Sequence, residues 1–251
     1  MSDKKSGTIV SIGQGMNKQV LPPSGPIIKI GGQIISSTSK KVVRSVDLVF
    51  VIDTTGSMSD KIEGLLATCA KFVDEFAALH LDHQIAVVAF GDLTVPGDKI
   101  ESTTFVSQVD MTIKNLKNVP RFGGGGNDGE SSFEALEQAM NLPFRSNAIK
   151  VIIHITDEPA LQDRISAINI TNRLVQNEIL VFVVSPPIGY FKELANKTGG
   201  KWYQVSANTD FTDLMEMFQQ IAIKVSQVVN DVYRLGNGNV TNYLRLKPPE
   251  Q

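Results

Sequence analysis

Residues 45–59 read SVDLVFVIDTTGSMS, and the change of character inside this stretch decides the fold. From Val46 to Ile52 nearly every position is apolar, with Val and Ile prominent. A strand with one wet face would alternate apolar and polar residues. A strand covered by helices on both faces reads as a continuous apolar run, as this one does. The run stops at Asp53, and Thr55, Gly56 and Ser57 follow. A buried strand thus delivers a carboxylate and two hydroxyls onto the loop at its end, where Gly56 permits a tight turn.

Working outward, residues 85–90, 148–156, 179–185 and 202–205 repeat the apolar, β-rich pattern. Between them, residues 58–79, 131–141, 161–176 and 188–197 place apolar residues at helical spacing. Strand–helix–strand alternation predicts a doubly wound, mostly parallel α/β sheet with helices on both faces. Residues 101–109 alternate in polarity, and the preceding GDLTVPGDK is too short for a crossover helix, so one antiparallel edge strand is expected there. A helix over residues 210–232 gathers Phe211, Leu214, Met215, Phe218, Ile221, Ala222, Val225 and Val229 on one face and should pack across the sheet.

This places a domain at residues 45–233, between an N-terminal extension and a loose C-terminal tail at residues 234–251. The extension, residues 1–44, has β-like pieces at 8–12, 27–30 and 33–36 separated by Gly, Pro and Ser, and is expected to add an edge strand. It carries Lys4, Lys5, Lys18, Lys29, Lys40, Lys41 and Arg44 against Asp3, so any contact with an anion would begin there.

Bulk composition narrows the function classes. With 251 residues, 42% of them hydrophobic and 20% charged, the chain can bury a sizeable core. A net charge of −2 gives no general reason to expect nucleic acid or a membrane surface as partner. The single cysteine, Cys69, cannot form an intramolecular disulfide, which fits a reducing compartment. With no leader-like amino terminus and no run of about 18 apolar residues, the expected location is cytoplasmic. His80, His83 and His154 lack zinc-ligand spacing; His154 is expected in the core with its hydrogen bonds met, and the other two at the surface.

Two further stretches carry chemistry. Asp157, in VIIHITDEPA, ends another apolar strand, and the two strands can lie side by side where the sheet order reverses. Crevices outside the carboxyl ends of strands at such a switch point bind ligands. The loop GGGGNDGESS, residues 123–132, sets four glycines before Asn127, Asp128, Glu130 and Ser131, at the start of a helix. It lacks the Lys-Ser/Thr ending of a phosphate-binding P-loop. Carboxylates with hydroxyls are hard oxygen donors, suited to Mg²⁺ or Mn²⁺ in a near-octahedral shell that retains some water.

Together these stretches resemble the von Willebrand factor A domain family. Its metal-ion-dependent adhesion site combines an Asp-x-Ser/Thr-x-Ser loop, a Thr or acid on a second loop, and an Asp after a later strand. Asp53, Thr55, Ser57 and Asp157 match that pattern residue by residue, within a resemblance covering residues 45–232. The resemblance implies a six-stranded central sheet with helices on both sides and a metal at its top, completed by an acidic side chain from a bound protein partner. The departure is in the second loop, where many members have Thr and this chain offers Glu130, with Asp128 and Ser131 close by; which of these is the ligand stays open at the level of sequence. The extra acids should hold a cation better and attract an incoming carboxylate less. The family also serves in adhesion, in complex assembly and alongside ATPase or kinase partners. An intracellular binding module for complex assembly or signalling, without catalysis, is therefore the expectation. The alternative is a metal-assisted phosphatase of the haloacid dehalogenase type, since a strand ending in DTT is similar to theirs. Those enzymes carry a second Asp two residues after the first, and that position here is Thr55.

Overall fold

The apolar run becomes the central strand of a six-stranded sheet in a computed structural model that describes residues 28–30, 33–35, 44–59, 62–77, 81–125, 129–205 and 211–247. The chain divides into two units, residues 1–42 and 43–251. In the first, β1 (Ile28–Ile30) and β2 (Gln33–Ile35) pair antiparallel, with Ile28 opposite Ile35. They form a two-stranded sheet of their own instead of adding an edge strand to a larger one. The stretch at 8–12 and the basic residues other than Lys29 and Arg44 lie outside the described residues.

In the second unit, β3 (Ser45–Asp53) leads through a 3-10 turn (Gly56–Met58) into α1 (Ile62–Ala77), β4 (Asp82–Phe90), β5 (Ile100–Ser102) and α2 (Val109–Lys117). Next come α3 (Ser132–Met140), β6 (Ile149–Ile155), α4 (Ala167–Gln176), β7 (Ile179–Ser185), α5 (Gly189–Thr198), β8 (Trp202–Gln204), α6 (Phe211–Leu235) and α7 (Val240–Leu246). The sheet runs β5-β4-β3-β6-β7-β8, with only β5 antiparallel. This is the doubly wound, mostly parallel sheet with one antiparallel edge strand that the alternation predicts. The chain moves outward from β3 to β5, returns to β6 beside β3, and then moves outward the other way, so the order reverses between β3 and β6. Ile52 pairs with Ile155, which brings the loops after both strands out side by side.

Every residue of β3 is buried, and its side chains alternate between two core layers. Val46, Leu48, Phe50 and Ile52 pack with Leu65, Phe72 and Phe76 of α1 and with Phe218, Ile221 and Val225 of α6. Val49 and Val51 face Phe133 and Leu136 of α3, Ile170 and Leu174 of α4, and Phe191 and Leu194 of α5. Each such side chain contributes roughly 1.5–3 kcal/mol when fully buried, which is why the continuous apolar run is needed.

The antiparallel segment is shorter than the alternation over residues 101–109 suggests. The Val87 amide donates to the side-chain hydroxyl of Thr103 at 3.0 Å, a side chain taking the place of a strand carbonyl. Beyond that point only an isolated bridge, Ile85 to Val106, continues the pairing, and Val109 already opens α2. The loose tail is also corrected. Asn239 caps α7 by accepting the Asn242 amide at 2.8 Å, and Val240 and Tyr243, three residues apart, are both buried. Glu178 fastens the start of that helix, accepting from Asn239 Nδ2 at 2.7 Å and from Thr241 Oγ1 at 2.8 Å.

At the opposite end of β3 from Asp53, Asp47 is buried with no exposed surface. Arg145 answers it twice, with its backbone amide at 2.6 Å and its Nε at 2.7 Å, while its Nη1 reaches both oxygens of Asp82. These bonds hold the Asp82 carboxyl below its usual range. Replacing Arg145 with Met is expected to cost about 3–5 kcal/mol in urea unfolding, because buried Asp47 would lose the guanidinium and keep only the backbone amide of residue 145. The double variant Asp47→Asn, Arg145→Met should recover part of that loss.

His154 sits in the core as expected, but without the hydrogen bonds expected of it. Neither ring nitrogen makes a hydrogen bond of good geometry among the described residues. The ring lies instead against Phe90 and Phe191, with centroids 5.8 and 5.4 Å away. Burial pushes its imidazole down to about 3, against the opposing pull of the Val51 backbone. A folded-state pKa below the unfolded one means stability that is complete above about pH 6.5 and is lost as the pH falls toward 3. At pH 5 this costs about 2 kcal/mol. His154→Phe should therefore flatten the decline in unfolding free energy between pH 7 and pH 5 by about that amount.

Candidate functional site

The site forms where the loops after β3, β4 and β6 meet, at the carboxyl ends of the central strands. Asp53 is the last residue of β3 and is fully buried. Its Oδ1 accepts from the Thr55 amide at 3.0 Å and from Thr55 Oγ1 at 2.6 Å, and its Oδ2 accepts from Thr156 Oγ1 at 2.7 Å. Thr55 Oγ1 lies 3.2 Å from Ser57 Oγ, which donates to Asp157 Oδ1 at 2.9 Å. The four residues singled out in the first and third loops therefore form one connected chain of oxygens.

The second loop supplies Glu130. It is only 5% exposed, and its Oε2 is buried with no hydrogen-bond partner among the described residues. Two backbone hydrogen bonds, Glu130 N to Pro159 O and Leu161 N to Glu130 O, both 2.9 Å, tie this loop to the one carrying Asp157. The Tyr190 hydroxyl accepts the Ala160 amide at 2.7 Å and steadies the same loop from below. Tyr190 thus acts on the site through the backbone, and its neighbour Phe191 is core. Ser131 turns away, its Oγ accepting the Leu93 amide at 2.9 Å. Asp128 lies outside the described residues.

Crowding of acids is visible in their proton affinities. Burial, with the charge of Asp157 adding to it, raises Asp53 to about 6 despite the hydroxyl and amide donors around it. Burial and then the charges of Asp53 and Asp92 raise Glu130 to about 8. Like charges held this close without a counter-charge favour the protonated form.

Sequence reading overlooked three supports. Thr156, beside Asp157, orients Asp53 from the neighbouring strand. Asp92, fully buried two residues after β4, accepts from the amide and hydroxyl of Thr94 at 2.8 and 2.7 Å. Asp98 gathers three amides, those of Asp92, Gly123 and Gly124, at 3.1, 3.0 and 2.9 Å. An acid just past an apolar strand was the available signal for Asp92, the same signal that marks Asp53.

The glycines serve this close packing. Gly124 has φ +73, and a Cβ there would stand 3.1 Å from Thr55 Cβ and 3.3 Å from Glu130 Oε1. At Gly125 a Cβ would meet Asp92 Oδ2 at 2.3 Å. Asp98→Ala is expected to release the glycine loop. Amide hydrogen exchange should speed up at residues 91–98 and 121–125 while β3, β6 and β7 keep their protection.

Among the described residues, no three His, Cys, Asp or Glu side chains gather as a ready-made ligand set for one ion. The oxygen set is instead two carboxylates bridged by two hydroxyls, with Glu130 behind them. Such a set suits a cation that takes hydroxyl and water oxygens alongside a few carboxylates. Among the described residues, the unpartnered, buried Glu130 oxygen and the raised proton affinities of Asp53 and Glu130 mark a cluster whose acids are short of donors. The donor set therefore fits a hard divalent ion.

This arrangement of loops on this sheet defines a class. A family model for the von Willebrand factor type A domain matches residues 47–220, and the chain belongs to that family, whose domains are generally protein-binding modules. A stretch of 116 residues is also 28% identical to the Alpha-protein kinase vwkA of Dictyostelium discoideum. That alignment covers 45% of this chain and 18% of the relative, so the chain corresponds to less than a fifth of that protein.

Proposed function

We propose that the chain binds one divalent cation, Mg²⁺ or Mn²⁺, on Asp53, Thr55, Ser57 and Asp157, with Glu130 and its neighbour Asp128 contributing from the second loop. The bound ion would hold a protein partner through a carboxylate on that partner. The observation that carries this reading is the buried, unpartnered Glu130 oxygen set against a second buried carboxylate, Asp53. When bound, the cation supplies the positive charge that the cluster lacks and an open position for an outside oxygen. The protein's own part is orientation: Thr55 and Thr156 fix the two oxygens of Asp53, and Ser57 links Thr55 to Asp157.

The role is binding and not turnover. A phosphatase of the dehalogenase type would need a proton donor two residues after Asp53, and Thr55 there is spent as a hydrogen-bond donor to Asp53 itself. We place the protein in the cytoplasm, in complex assembly or signalling. Likeness to a stretch of an alpha-protein kinase supports a partner complex that contains a kinase, with an ATPase complex as the other candidate. Among the described residues, no helix is long and apolar enough to cross a membrane.

Isothermal titration with Mg²⁺ and Mn²⁺ tests the reading. The parent should bind one ion, and Asp53→Ala, shown by circular dichroism to be folded, should lose binding by at least about a hundredfold. A folded Asp53→Ala that binds as the parent does would remove the proposal.

A further inference from the structure

Tyr190, in the first turn of α5, stands where two of the loops that frame the site are joined. Its hydroxyl accepts the Ala160 amide at 2.7 Å. Its ring packs edge-on against Phe133 in the first turn of α3, with centroids 5.6 Å apart, and against Phe191, 4.7 Å away. Phe133 follows Glu130 closely in the chain, and Ala160 follows Asp157 in the same way. One side chain thus touches both segments that carry the outer acids of the site.

The backbone of residues 159–161 is clamped from two sides. On one edge, Pro159 O accepts the Glu130 amide and the Leu161 amide donates to Glu130 O, both at 2.9 Å, which makes a parallel bridge between Glu130 and Ala160. The Ala160 amide points to the opposite edge, as alternate amides of a bridged segment do, and ends on Tyr190. Ala160 is 7% exposed, so without the Tyr190 hydroxyl its amide would be a buried donor left unmet. The two loops also meet without spare room, since a Cβ at Gly129 would stand 3.0 Å from Pro159 O.

We infer that Tyr190 is a positioning residue for the cation: it fixes the spacing between the Asp157 and Glu130 segments and thereby makes the site prefer Mg²⁺ to Ca²⁺. Mg²⁺ demands near-ideal octahedral geometry at short metal–oxygen distances, whereas Ca²⁺ accepts longer and less regular shells. Ligand segments held from both sides suit the ion that tolerates no drift. Loosening one side therefore costs Mg²⁺ more than Ca²⁺. The inference rests on the metal reading above and adds to it the ion preference and the residue, outside the ligand set, that enforces it.

The test is calorimetric titration of the full chain with Mg²⁺ and with Ca²⁺, for the parent and for three variants whose folding is checked by circular dichroism. Tyr190→Phe keeps the ring and removes only the hydroxyl. Its Mg²⁺ affinity should fall about tenfold, as when a residue that orients metal ligands is lost, and its Ca²⁺ affinity by no more than about threefold. Gly129→Ala, which forces the same loops apart from the other side, should move the Mg²⁺ to Ca²⁺ ratio in the same direction, and it carries the test if Tyr190→Phe does not fold. Tyr233→Phe is the control, because its hydroxyl binds the Ser45 amide and carbonyl at the far end of β3, and the ratio there should stay that of the parent. In metal-free protein, hydrogen exchange at the amides of Glu130, Ala160 and Leu161 should accelerate in Tyr190→Phe and not in Tyr233→Phe. A parent that prefers Ca²⁺, equal losses for both ions in Tyr190→Phe, unchanged exchange at those amides, or a ratio moved as far by Tyr233→Phe would overturn the inference and leave the metal site standing. A parent that binds neither ion would overturn the metal reading, and the inference with it.

Discussion

A carboxylate taken fully out of water must be answered by donors or by positive charge, and the upper end of this molecule is organised around meeting that demand at Asp53. Hydroxyls of Thr55 and Thr156 and the Thr55 amide meet it in part. They do not meet it fully, since the carboxyl is still raised to about 6. Glu130 compounds the imbalance, because a second acid is brought into the same low-dielectric region with one oxygen unmet. Two buried acids competing for too few donors among the described residues form a reservoir of unfavourable energy that a bound dication would relieve. The same imbalance would give a cation its affinity.

The opposite end of β3 solves the same problem differently. Asp47 is as deeply buried as Asp53, yet Arg145 answers it within the chain through a backbone amide and a guanidinium. One strand thus carries two buried acids, one neutralised by the fold and one left short of positive charge. The first secures the base of the sheet, where Asp82, the Val46 carbonyl and the Asp82 carbonyl share the same guanidinium.

Rigidity around the site comes mostly from backbone contacts between loops. The Glu130 and Ala160 segments bridge one another, Gly56 donates to Gly123 O at 3.3 Å, Phe122 donates to Thr54 O at 3.0 Å, and Asp98 collects amides from two loops. A surface held this way presents its oxygens as one fixed platform.

The sequence by itself determined the sheet and the acids at its top, because both follow from local rules. Continuous apolar runs must be doubly covered strands, and a chain that leaves such a strand on an Asp followed by hydroxyls places those oxygens at a strand end. Asp53, Thr55, Ser57 and Asp157 were legible for that reason, as was the pairing of their loops at the switch point. Tertiary structure decided what depends on long-range partners. Among the described second-loop residues, backbone bonds to Pro159 and Leu161, about thirty residues away, bury Glu130 against the site, while the Leu93 amide holds the Ser131 hydroxyl away from it. The short antiparallel strand, the capped helix at Val240–Leu246 and the supporting roles of Asp92, Asp98 and Thr156 are of the same kind. Each depends on which donor lies nearby in space, and local spacing along a chain carries no record of that.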